Sequence, residues 1–141
     1  RLPPGGASAL ARLADRDGVV GGNFSVRFDG PGLFPRALGA TYAAQRALGV
    51  FYGDSAIFCR RSWFLDRGGF PEIEIMEDYE LARAIVRSRR SLRLPGPAIT
   101  SSRRWRASGI PRTLASWIVI RWLFVAGVSP ARLARLYDVI R

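Results

Sequence analysis

A chain of 141 residues carries 22 basic side chains against 11 acidic ones, a net charge of +11, and is 48% hydrophobic. That hydrophobic share excludes a disordered tail and suffices for the core of one modest domain. With no histidine and one cysteine, an intrachain disulfide, the usual zinc ligand sets and Ser-His or Cys-His nucleophile systems are excluded. Chemistry then falls to carboxylates or to a bound divalent cation. The charge implies anionic partners: nucleic acid, a phosphorylated small molecule or an anionic membrane surface.

In chain order, RLPPGG reads as a turn, and a short helix is predicted from about Ser8 to Ala14 with Ser8 as its N-cap. Phe24, Val26 and Phe28 then alternate with Ser25 and Arg27, the pattern of a strand with one buried face. Gly21 and Gly22 before them mark a bulge or a backbone pressed close to something else. Leu33 to Leu48 reads as a helix, with Gly49 as its C′ residue. Ala56 to Cys59 is a predicted strand, and Cys59 within it a small core residue. Ser62 is expected to cap a short helix, Trp63 to Arg67, that stops at Gly68-Gly69. Further on, Ser91 to Leu94 reads as an edge-like strand broken by Pro95-Gly96-Pro97, with Ile99 to Arg103 extending again.

Between these lies the best-specified helix, beginning near Glu77 or Asp78. Asp78, Leu81, Ala82 and Ile85 share one face, and Glu80 and Arg83 can pair at i,i+3. Asp78 falls in the first turn, where backbone N–H groups and the helix dipole favour a carboxylate, yet it points the way the apolar residues point. An N-cap alone explains an acid at a helix start. It does not explain two consecutive acids after Ile73-Glu74-Ile75-Met76. A carboxylate so placed could deprotonate an alcohol as that alcohol attacks. Arg103 and Arg104, in a loop before a helix, suit the phosphate oxygens of a leaving group; Trp105 could pack on a sugar ring or seal the loop.

The last part is helical. Pro111 to Ala126 is apolar nearly all round, but shorter than the roughly 20 residues that span a bilayer and interrupted by Arg121. Burial against a partner and a position in a bilayer interface both fit it. Ser129-Pro130 opens a final amphipathic helix bearing Leu133, Leu136, Tyr137 and Ile140. The arginines are scattered and form no nucleic-acid motif, so the charge alone speaks for nucleic acid.

Three stretches together, Gly53-Asp54-Ser55-Ala56-Ile57-Phe58, Arg61-Ser62 through Gly68-Gly69-Phe70-Pro71, and Met76-Glu77-Asp78-Tyr79-Glu80-Leu81, followed by Arg104-Trp105, resemble the second half of a family 2 glycosyltransferase of GT-A fold. Within that family the chain is most similar to a small bacterial subgroup associated with radical-SAM and selenium-related genes. The resemblance implies an α/β fold, a mixed sheet with flanking helices, and two parts: residues 1–106 as the acceptor-side half of a catalytic domain, and 107–141 as a helical segment that meets a membrane surface or a second copy. It implies inverting transfer of a sugar from a nucleotide-diphosphate donor to an acceptor hydroxyl. Asp78 matches the catalytic base; Asp54, Glu77 and Trp105 match acceptor or donor-sugar contacts; Arg103 and Arg104 match the diphosphate site. Ser101 stands where processive relatives carry Gln or Arg, so single transfer is expected.

Family members place first a nucleotide-binding unit ending in an Asp-x-Asp strand that holds Mg²⁺ or Mn²⁺. In the subgroup that strand leads into a segment like RLPPG, so the nucleotide half and most of the metal site are expected to lie outside these residues. No metal is expected to bind the chain alone, nor is turnover without a complementing N-terminal half. The expected location is the cytoplasm, at the inner face of the cell membrane. The alternative is a membrane-surface or scaffold module without catalysis.

Overall fold

Two consecutive glycines set how closely the strands of this chain approach. The computed structural model, which describes residues 1–14, 16–102 and 110–140, places them at the start of the central strand, β1 (Gly21–Phe28). A Cβ on Gly22 would lie 1.7 Å from the Leu92 carbonyl oxygen, and one on Gly21 would lie 2.5 Å from that of Phe58. Backbone therefore meets backbone on both sides, which is one of the two readings those glycines allowed.

β1 pairs antiparallel with the two-residue β2 (Phe58–Cys59) and parallel with β3 (Ser91–Thr100). The result is an α/β fold with a mixed three-stranded sheet of order β2-β1-β3 among the described residues. The expected break at Pro95-Gly96-Pro97 is instead a bulge. Register jumps from Phe24 opposite Leu94 to Ser25 opposite Pro97, and β3 continues to Thr100. Three causes combine. β3 lies at the end of the strand order, where a proline forfeits no ladder bond on its outer side. Gly96 takes a φ of 86°. The Arg46 guanidinium donates to the Leu94 carbonyl (2.9 Å), to the Asn23 carbonyl (3.1 Å) and, through Nε, to Asn23 Oδ1 (3.1 Å).

The helices begin and end for local reasons. α1 (Gly6–Ala14) starts two residues before Ser8, on a Gly6 N–H bond to the Pro3 carbonyl. α2 (Leu33–Ala47) ends as expected at Gly49, where the amides of Gly49 and Val50 bond back to Arg46 and Gln45 and close a Schellman turn. Gly53–Ser55 forms one 3₁₀ turn. α3 (Arg61–Asp66) follows an extended Arg60, so Ser62 sits inside the helix and caps nothing. α4 (Glu77–Arg87) buries Tyr79, Leu81, Ala82 and Ile85, and its Glu80–Arg83 pair closes at 2.5 Å.

The chain forms two compact units. The first, Arg1–Phe70 with Asp78–Ser101, contains the sheet. In one core cluster, Phe24, Leu94 and Ala98 pack with Leu10 and Leu13 of α1; in another, Phe51, Leu81, Ala82 and Ile85 pack with Ile57, Trp63 and Phe64. Burial of each large side chain contributes about 1.5–3 kcal/mol. The second unit, Pro71–Glu77 with Ser102–Arg141, is built on α5 (Ile110–Val125) and α6 (Pro130–Ile140). Within that unit Ile120 and Leu133 are buried, and Trp117 meets Tyr137 edge to face at 6.0 Å. α5 is less uniform than its composition suggests. Thr113 and Ser116 are buried, whereas Ile118, Val119, Trp122 and Val125 are exposed. Among the described residues no helix is long and apolar enough to cross a membrane.

Candidate active site around Asp78

The two acids at the start of α4 have different surroundings. Glu77 is exposed; Asp78 is half-buried. Asp78 Oδ2 accepts the Gly53 backbone N–H at 2.6 Å, and Oδ1 accepts that of Tyr79 at 2.7 Å. Gly53 permits this approach, since a Cβ there would stand 3.1 Å from Oδ2. The carboxylate thereby ties the 3₁₀ turn to α4 across 25 positions of sequence. Each oxygen still has a second acceptor direction, so the bonds orient Asp78 without saturating it.

Among the described residues, two of the three non-glycine residues with positive φ flank these elements in sequence: Ala56, closing the turn, at 49°, and Met76, preceding α4, at 71°. Such backbone is held at a cost of order 1 kcal/mol per residue and is enriched at functional sites.

Asp78 lines a cavity of about 450 Å³ whose other walls include Gly53, Ala56, Ile57, Phe64, Phe70 and Arg61. The lining is apolar apart from the carboxylate and the guanidinium, so a hydroxyl bound there would meet Asp78 in a partly water-excluded setting.

Asp54 stands on the other side of the same turn. Its carboxylate accepts the Tyr42 hydroxyl, and its backbone carbonyl accepts Thr100 Oγ1 at 2.9 Å. Tyr42 is pushed far above the ordinary phenol range, first by burial, then by the charge of Asp54 and the hydrogen bond to it, with smaller contributions from Tyr52 and Asp78. Rings continue from there: Phe28 meets Tyr42 at 5.0 Å, Tyr42 meets Tyr52 at 6.3 Å, Tyr52 stacks on Tyr79 at 5.6 Å, and Arg83 lies 5.7 Å over Tyr79. Asp54 and Asp78 are thus brought to one turn, while Glu77 is not among the cavity walls. Arg103, Arg104 and Trp105 lie outside the described residues. Sequence reasoning missed Tyr42, Tyr52 and Arg61 as neighbours of the acids. The contact of Tyr42 with Asp54 depends on tertiary placement, which no local pattern shows.

Among the described residues no group of three or more acidic or cysteine side chains converges. An Asp-x-Asp triplet does occur at 15–17; Asp17 sits in an exposed turn between α1 and β1, and Asp15 lies outside the described residues. Comparison of the chain with known protein families, with curated proteins and with solved structures finds no match.

Proposed function

We propose that this chain is the acceptor-side part of a glycosyltransferase of the family 2, GT-A type, with Asp78 as general base of an inverting transfer. The observation that carries this reading is the half-buried Asp78 carboxylate, oriented by the Gly53 amide on the wall of a cavity large enough for a sugar. An acceptor hydroxyl in the cavity donates a hydrogen bond to Asp78. As its oxygen attacks the anomeric carbon from the face opposite the diphosphate, its proton passes to Asp78. The bond from the anomeric carbon to the diphosphate oxygen breaks, and the electron pair leaves with the nucleoside diphosphate. Ile57, Phe64 and Phe70 form the apolar wall against which a sugar face can lie. Asp54, tied to Tyr42, holds the turn that positions the Gly53 amide.

The test is Asp78→Asn against Glu77→Gln, assayed with a nucleotide-diphosphate sugar in protein that includes a nucleotide-binding half. Asp78→Asn should lower kcat by about 10²-fold or more with donor binding largely unchanged, while Glu77→Gln retains most activity. Transfer at wild-type rate by Asp78→Asn would remove the base assignment.

One observation favours a second reading, a module that rests on an anionic membrane surface. On α5 the exposed residues Ile118, Trp122 and Val125 recur at helical spacing, and the segment from Ser102 onward contains many arginines and a single acid, Asp138.

A further inference from the structure

A different cavity, of about 530 Å³, opens where β1 ends and α2 begins. None of its walls belongs to the cavity at Asp78. Arg1, Arg27 and Arg36 line it, and Asp29 is the one acid among its walls. Elsewhere in this unit, five arginines serve as structural donors: Arg46 and Arg60 bond strand and loop carbonyls, Arg83 pairs with Glu80, and Arg90 and Arg93 bond the carbonyls of Gly18 and Ala47. The guanidiniums of Arg1, Arg27 and Arg36 have no ion pair or hydrogen bond among the described residues. Three cations against the single carboxylate of Asp29 leave the concavity with a net positive charge that a further anion would offset.

The backbone agrees with the side chains. Ile99, near the end of β3, also lines the cavity, so it lies beyond the C-terminal ends of two parallel strands, where ligands of α/β sheets gather. Gly30 and Gly32 turn the chain there at φ of 102° and 97°. α2 then starts without an acidic residue in its first turn and without a side-chain cap, so its positive end is not neutralised locally.

We propose that this cavity binds a phosphate-class anion, a phosphate monoester or diphosphate group, through Arg1, Arg27 and Arg36. Planar guanidinium forks match phosphate oxygens in pairs, which suits arginine rather than a point charge. The volume exceeds that of a bare phosphate and falls in the usual range of small-molecule sites. The site is independent of the role given to Asp78.

Isothermal titration at fixed ionic strength, with inorganic phosphate, pyrophosphate and a nucleoside diphosphate as probes, tests it. Saturable binding of at least one probe is expected. Arg27→Ala with Arg36→Ala should weaken it by about tenfold or more, and Arg132→Ala with Arg135→Ala, in the other unit, should leave it unchanged. Equal affinity for pyrophosphate and nucleoside diphosphate assigns the site to the phosphate groups alone. Tighter nucleoside diphosphate binding adds nucleoside recognition to it. In the unmodified chain, the bound probe should also protect Arg27 and Arg36 from dicarbonyl modification read by mass spectrometry, a measurement that needs no variant to fold. No saturable binding, equal weakening in both double variants, or modification undiminished by the probe would overturn the proposal.

Discussion

Tyr42 is a phenol whose hydroxyl donates to Asp54 while burial and two nearby acids oppose its ionisation. The sign of the consequence follows from the direction of the shift. Its folded pKa lies above the ordinary value of 10.0, so unfolded chains release this proton first as pH rises. The stability that the neutral phenol contributes is whole below pH 10 and drains away above it, at no more than about 1.4 kcal/mol per pH unit. Tyr42→Phe should therefore lower stability by about 1 kcal/mol near neutrality and flatten the decline above pH 10. Urea unfolding of both proteins from pH 8 to 11 measures this, and parallel curves would show that Tyr42 does not titrate late. At the same scale, Gly53 and Gly22 matter through what they lack. One lets an amide reach Asp78, and the other lets two strands meet at backbone distance.

Among the elements, β3 shows what sequence patterns hide. Pro95-Gly96-Pro97 reads as a terminator because each residue in it opposes regular pairing. The strand survives because it is an edge and because Arg46, on α2, supplies donors where the bulge leaves the Leu94 carbonyl. Replacing Arg46 by Met keeps the stem and removes three hydrogen bonds, leaving acceptors on Asn23 and Leu94 without them; a loss of about 2 kcal/mol is expected by chemical denaturation. A loss within 0.5 kcal/mol, the usual range for surface substitutions, would mean the bulge stands without Arg46. α2 and α4 were legible because a helix writes its buried face at spacings of three and four, and because Gly49 is a local stop. The inward phase of Asp78 was legible for the same reason. Its bond to Gly53 was not, since nothing local links positions 25 apart. Ser62 misled because a serine before an apolar run has the chemistry of a cap wherever the helix actually begins. The polar interior of α5, Thr113 and Ser116, was hidden by the hydrophobic residues around them.

For the molecule as a whole, a charge of +11 has to be placed somewhere. In the sheet-containing unit much of it is spent on carbonyls, as Arg46 and Arg60 show. In the helical unit Arg112, Arg132 and Arg135 are exposed, as is the apolar stripe of α5, whose Trp122 is 64% exposed. If that stripe rests on lipid, co-sedimentation with vesicles containing phosphatidylserine should exceed that with neutral vesicles and fall with salt, each surface arginine contributing about 1 kcal/mol. Ile118→Glu with Trp122→Glu should abolish it. Absence of binding to the anionic vesicles would leave the stripe to a protein partner or a second copy.

Cys59 is the chain's single sulfur nucleophile, and it sits on β2 directly opposite Gly21. Burial pushes its thiol above the ordinary range, so the folded chain holds a smaller thiolate share than the unfolded one for an oxidant or an alkylating agent to meet. Separation of β2 from β1 would relieve that burial, so faster thiol modification is the expected signature of sheet opening, read at the chain's one cysteine without an added label.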